Sequence, residues 1–351
     1  MLDVAGEDVA GDDGRNVSGA APVTKVETKA DADYRVVVGE ECFDWRELTG
    51  SGLLDALDVL AELLEPLADG RRAAFMDPAY DTECRPSVTL QDALYSPDGV
   101  LPRDERVRLL KLLGKCKRVE PDEADLPQPV RVGDGPWHEP SWGTAHALAR
   151  AAEGRAMSCL LAPYAKEPDW PSGWVTVTRT TEAGHDEVKT HVLRSPKDAP
   201  GFWRGLLTDE SVAAEHFFTF TVDAFPQLLF ADSLRLHHFK GTYAEVLPWL
   251  VKLLGALNDH FTGTLADCGG DLSQVMRRFD ALGLDISPES ANTKKNVKAW
   301  EQRNVDHEGA TYRCDWHGKR LWDRDRVHFS LPIAAYDDRV LVGIFVGHLA
   351  T

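Results

Sequence analysis

The sequence predicts an α+β protein: an α/β N-terminal module, a β-rich middle, and C-terminal helices packed on a small antiparallel sheet. Three observations carry this reading. Short β-branched runs alternate with amphipathic helical segments in the first third. Trp174, Val175 and Val177 alternate with threonines on the first of two strand-like segments, Gly173–Thr178 and Glu187–Leu193. A strongly apolar helical segment from Tyr243 precedes a strand-like tail that runs from Tyr312 to Thr351.

Order begins at Tyr34-Arg35-Val36-Val37-Val38, a short strand ahead of a turn at Gly39. Leu53, Leu57, Leu60, Ala61 and Leu64 then recur at helical spacing, with Ser51 as a cap and Pro66 as the stop. Arg72 to Met76 reads as a second strand and Arg103 to Lys117 as a second helix, its basic residues gathered outside or near its C-terminal end. A Pro-, Gly- and Asp-rich stretch from Glu120 to Pro140 breaks the pattern and predicts a linker. Ala156–Leu161, Gly173–Thr178 and Glu187–Leu193 read as three strands, the last two joined near Ala183-Gly184 in an antiparallel hairpin. Helices return at Gly201–Leu207 and Ser211–Phe217, then at Tyr243–His260 and Leu272–Leu282. The expected division is therefore a disordered acidic tail over 1–32, an α/β module over 33–120, a linker over 121–140, a β-rich module over 141–235 and a helix-plus-sheet module over 236–351.

Charge and motifs narrow the function classes. The balance of 57 acidic against 39 basic residues gives −18, which argues against broad attraction to nucleic acid or an anionic membrane and leaves room for a local basic patch. Six cysteines stand singly with no C-x-x-C pair, which predicts buried free thiols rather than a zinc knuckle or a disulfide frame. No apolar run is long enough for a spanning helix, and the first thirty residues lack the basic and then apolar regions of a secretory signal, so the expected location is cytoplasmic. Neither G-x-G-x-x-G, a P-loop nor G-x-S-x-G occurs, which argues against the Rossmann, NTPase and hydrolase classes that use them.

The candidate chemistry lies in the tail. Arg324, Arg326 and His328 are spaced by two and share one face of an extended strand, as do His317 and Lys319 on the segment before it. A hairpin joining the two places all five in one patch, where histidines move protons and cations offset charge on a phosphodiester, with no metal and no cofactor required. These five are the expected catalytic residues, with Trp316 and His348 as ligand-binding residues. The competing reading is a solvated face of an amphipathic sheet, partly neutralised by Asp315, Asp323 and Asp325. An E-x-K at Glu187 and Lys189 matches half of a metal-dependent nuclease signature, without a well-placed upstream acid.

The order W-H-x-K, R-V-H-F, V-G-x-x-x-G-H-L over the final sixty residues is similar to the ends of uncharacterised bacterial proteins from phage-defence and mobile-element neighbourhoods. More remotely, helices followed by a small sheet rich in Lys, Arg and His resemble the RelE/ParE toxin superfamily, whose RelE branch cleaves messenger RNA. The resemblance implies that Lys319, Arg324, Arg326 and His328 form a basic catalytic face, with Trp316 or Phe329 stacking a base. The function expected is an accessory or effector protein of a bacterial defence or mobile locus that binds RNA or another phosphate-bearing ligand and cleaves RNA without metal, with a protein partner from the same locus. The alternative is a non-enzymatic interaction protein that uses its ten tryptophans, among them Trp137, Trp142, Trp170, Trp174 and Trp203, as anchors.

Overall fold

Two sheets organise the chain in a computed structural model that describes residues 34–96, 100–165 and 168–349. The acidic tail expected over 1–32 lies outside the described residues. The first sheet is built outward from β1 (Val36–Val38), which pairs in parallel with β2 (Ala73–Met76) on one side and, on the other, with β7 (Ser158–Leu160). All three residues of β1 are buried, because helices cover both sheet faces. Val36 and Val38 join the cluster containing Leu53, Leu57, Leu60 and Leu64 of the helix Ser51–Asp69. Val37 joins the opposite cluster with Ala147 and Leu148 of the helix Trp142–Ala152.

Between β2 and the next strand of this sheet comes a small hairpin of β3 (Glu83–Arg85) and β4 (Val88–Thr89). Next are β5 (Lys117–Val119), parallel to β2, and β6 (Val130–Val132). The sheet is completed by β8 (Gly173–Thr181) and β9 (Gly184–Leu193), the hairpin expected from the sequence, with β9 parallel to β7 and β6 antiparallel to β8. The order is β5-β2-β1-β7-β9-β8-β6. The chain therefore builds from β1 to one side and then returns to build the other. The junction of β1 and β7 is a topological switch point, where open α/β sheets form crevices beyond the carboxyl ends of their strands.

The second sheet has the order β10-β16-β15-β14-β11. Its members are β10 (Leu228–Phe230), β11 (Asp285–Pro288), β14 (Trp316–Leu321), β15 (Arg324–Ile333) and β16 (Arg339–Val346). All neighbours are antiparallel except β10 with β16. A separate hairpin, β12 (Asn304–His307) with β13 (Ala310–Arg313), lies between β11 and β14 in the chain. The helix Tyr243–Ala256 starts on a Thr242/Glu245 capping box and packs close to β14. A Cβ on Gly318 would stand 2.5 Å from Leu253, so any larger residue there must push that side chain aside.

Several sequence expectations need correction. The stretch expected to be a linker, 121–140, carries β6, which bonds to β8. Its flanking Pro129 and Gly133 are tolerated because β6 is the sheet's edge strand. The expected modules 33–120 and 141–235 thus share one sheet, and β10, expected in the middle module, belongs to the C-terminal sheet. One cluster of buried residues also runs from Val36 and Leu57 through Phe202 and Phe217 to Leu250 and Phe329, joining all three. The helix expected over Arg103 to Lys117 ends at Leu113, ahead of Gly114, freeing Lys117–Val119 to pair with β2. The segment expected as a helix over Ser211–Phe217 is a 3-10 turn at Ala214–Thr219. The helix from Ser51 continues past Pro66 to Asp69, because a proline in the last turn removes only one bond of the ladder.

Candidate functional site on the C-terminal sheet

The strand parity read from the sequence is realised. His317 lies directly opposite His328, and Lys319 opposite Arg326, across the β14–β15 pair. These four side chains share one face of the sheet, with Arg324 exposed at the start of β15 opposite Leu321. Their neighbours of opposite parity go to the other face, where Trp316, Val327 and Phe329 are buried. Trp316 packs edge-on to Phe261 at 5.3 Å between ring centroids, and Phe329 packs against the same ring at 5.1 Å.

This overturns the role expected of Trp316. At 2% exposure it is a core residue, and so is Phe329, so neither can stack a base. The histidines also differ from expectation, His317 being 5% exposed and His328 fully buried. His348, in contrast, is exposed. Asp325, expected to temper the patch, points away from it. It is buried, accepts hydrogen bonds from the backbone N–H groups of Lys240 and Gly241, and pairs with Arg320 at 3.0 Å. Lys319 is bridged to Asp285 at 3.2 Å across β11.

Two residues not singled out from the sequence complete the centre. Glu289, just after β11, and Arg303, ahead of β12, form a buried ion pair in which Arg303 Nε donates to Glu289 Oε1 at 2.9 Å. A second Arg303 nitrogen donates to the Ala299 carbonyl at 2.6 Å. The same Glu289 oxygen stands 3.7 Å from His317 Nδ1 and 3.5 Å from His328 Nδ1. The two imidazoles face each other with centroids 5.2 Å apart. No spacing rule points to Glu289 from the sequence, because pairing of β11 with β14 alone brings it to His317.

Burial lowers the pKa of His317 to about 3, and the nearby charges of Arg326, Lys319, Arg303 and His348 push in the same direction. His328 is driven well below the ordinary imidazole value by burial first, then by His317, Arg303 and Arg326. Both rings are therefore neutral around neutral pH. Yet His317 Nδ1 and both nitrogens of His328 are buried and make no hydrogen bond of good geometry, the backbone of Cys314 being near enough to His328 only to oppose its shift weakly. Each such orphan costs about 1–3 kcal/mol. Arg326 Nε is a further buried nitrogen without a partner, although another Arg326 nitrogen donates to the Trp322 carbonyl at 3.2 Å.

Above this buried centre, the two-residue turn of the β14–β15 hairpin carries Trp322, which is 85% exposed. In the chain it falls between Lys319 of β14 and Arg324 and Arg326 of β15. The sequence signal for it was available, since a tryptophan on a turn within a basic hairpin has no core to enter.

Other places read from the sequence do not assemble. Lys189 of the E-x-K pair is tied to Asp209 at 2.6 Å and lies over the Trp174 ring. Of the five tryptophans expected as anchors, Trp170 and Trp203 are buried. Trp137 is exposed but lies under Arg131 and against His185, so the five make no continuous face. The six cysteines are free and buried, as expected. At the β1/β7 switch point a cleft of about 680 Å³ is lined by Glu41, Asp44, Glu47, Glu139, His138 and Tyr164, among others. Its four carboxylates make it unsuited to a phosphate.

No family model, curated protein or solved structure matches the chain. No helix among the described residues is long and apolar enough to cross a membrane.

Proposed function

We propose that the chain binds RNA or another phosphate-bearing ligand along the β14–β15 hairpin, as an accessory or effector protein of a bacterial defence or mobile locus. The observation that carries this reading is Trp322, a large apolar side chain 85% exposed on the turn that joins the strand of Lys319 to the strand of Arg324 and Arg326. A strand of single-stranded nucleic acid needs both elements: cations along its phosphates and a ring on which a base stacks, the latter contributing about 1–3 kcal/mol per base. In a chain of net charge −18, such a patch also confines an anion to one place. The reading is one of binding. His317 and His328 are enclosed and do not face a bound strand, so no cleavage step is assigned to them.

The test is fluorescence anisotropy of a labelled single-stranded RNA oligonucleotide in EDTA. With three cations engaged, log affinity should fall against log salt with a slope of about −2, from roughly −0.7 per phosphate neutralised on a single strand. Trp322→Ala should weaken binding by about 5-fold to 150-fold, the equivalent of one stacked base. Arg324→Ala with Arg326→Ala should flatten the salt slope. Absence of binding at low salt, or binding indifferent to these changes, would defeat the proposal.

A further inference from the structure

We infer that Glu289, His317 and His328 form a binding site for a divalent transition-metal ion of the zinc class, enclosed behind the basic hairpin. This goes beyond the phosphate reading and does not rest on it. It also departs from the expectation of metal-free chemistry drawn from the sequence.

Three observations converge. First, each residue offers one ligand atom, and these atoms lie within 4.8 Å of one another, all on buried residues, the one such group found among the described residues. Second, the spacing suits an ion better than hydrogen bonds. Glu289 Oε1 stands 3.5 Å and 3.7 Å from the two Nδ1 atoms, too far for good hydrogen bonds. Ligands at roughly 2.0–2.2 Å from a tetrahedral zinc are separated by about 3.3–3.6 Å along the tetrahedron's edges, so the 3.5 Å spacing fits directly and the 3.7 Å spacing, like the 4.8 Å bound on the set, needs a small inward movement of the rings. Third, His317 Nδ1 and both nitrogens of His328 make no hydrogen bond of good geometry. A fold that encloses two facing histidines and leaves three of their four nitrogens without hydrogen bonds has a donor set awaiting an acceptor of lone pairs.

The surroundings supply the outer partners that metal sites use to orient their ligands. Ser287 Oγ stands 3.4 Å from His317 Nε2, so a proton on Nε2 directs the Nδ1 lone pair toward Glu289. Arg303 fixes the carboxylate by donating to the same oxygen, which has a second lone pair for the ion. His₂Glu is a donor set that zinc accepts with an open fourth position. Arg326 and Lys319 lie nearby and repel a cation, although Asp285 offsets Lys319. The site should therefore prefer a strongly coordinating ion, taken up by bond formation rather than by general attraction, over Mg²⁺ or Ca²⁺.

The experiment uses the full chain, stripped with chelator and then titrated with Zn²⁺ alone by calorimetry, and with Co²⁺ alone by visible absorption, in the absence of RNA. The expected result is one equivalent bound, with the intense visible bands of a tetrahedral Co²⁺ site. His317→Ala, His328→Ala and the shape-preserving Glu289→Gln and His328→Gln should each remove that uptake, with circular dichroism confirming the fold. Ser287→Ala should weaken it by about 10-fold to 100-fold, as loss of an outer partner does. Arg326→Ala removes a repelling charge and should bind Zn²⁺ at least as tightly as the wild type. The inference is overturned if the folded wild type takes up no more Zn²⁺ or Co²⁺ than His328→Gln. It is equally overturned if Arg326→Ala loses the ion as fully as the histidine variants. RNA binding in EDTA is read separately through Trp322, so either proposal can fail while the other stands.

Discussion

Glu40 offers a direct test of how the first sheet holds its switch point. It follows β1, is 6% exposed, and accepts hydrogen bonds from the Gly143 N–H at 2.9 and 3.2 Å, at the start of the helix Trp142–Ala152. The helix comes this close because residue 143 has no side chain: a Cβ there would stand 2.4 Å from the Val38 carbonyl oxygen. Burial raises the carboxyl pKa from 4.5 to about 7, the charge of Glu41 adds to the rise, and the Gly143 N–H opposes it. The folded state therefore holds the proton more tightly than the unfolded state. The stability this confers is fully present below about pH 4.5 and is lost as pH rises through about 7, where the folded carboxyl ionises. At 1.36 kcal/mol per unit, the span corresponds to about 3 kcal/mol. Glu40→Gln keeps an acceptor for Gly143 and cannot ionise. Urea unfolding at about pH 5 and about pH 8, with the m-value as control for two-state behaviour, should show the variant gaining about 2–3 kcal/mol on the wild type between the two conditions. Glu41, itself raised by burial, is present in both proteins, and its repulsion of the Glu40 charge is part of the difference that Glu40→Gln removes. A gap between the two proteins that does not move with pH would refute the reasoning.

Two further outcomes follow from packing and charge near the candidate site. Gly318→Ala drives a methyl into Leu253 on the facing helix and should destabilise by about 1–3 kcal/mol, read as a shift in urea midpoint at unchanged m-value. A variant as stable as the wild type would mean that the helix Tyr243–Ala256 shifts freely over the sheet. Arg303→Ala strips the enclosed Glu289 of its counter-charge and should cost about 3–5 kcal/mol when measured in EDTA. Replacing both residues by methionine should recover most of that loss, and failure to do so would show that Arg303 acts mainly through its bond to the Ala299 carbonyl.

What the sequence revealed of this molecule depended on the range of the interactions involved. Period-two alternation is local, so β8, β9, β14 and β15 were legible, as was the sharing of one face by His317, Lys319, Arg326 and His328. Helical spacing is local too, and it located the helices Ser51–Asp69 and Tyr243–Ala256. Parallel pairing leaves no such trace. β1 and β7 are separated by more than a hundred residues, and β10 meets β16 over three residues whose pattern names no partner. The modular division failed for this reason, since the neighbours that fuse the first two modules are chosen by topology and not by composition. Period assigns a residue to a face, but it does not say whether that face is open.

For the candidate site that distinction decides the chemistry. Parity grouped the imidazoles with the cations correctly, and on an open face the group would serve as acid, base and anion clamp. Glu289 and Arg303, brought in by the segment between β11 and β12, enclose the histidines and leave the cations and Trp322 outside. A single row of alternating residues is thereby divided by depth. Its outer members lie toward water, where Coulombic attraction is long-ranged and salt-sensitive. Its inner members lose their charge to desolvation and become lone-pair donors, which suits coordination rather than proton transfer.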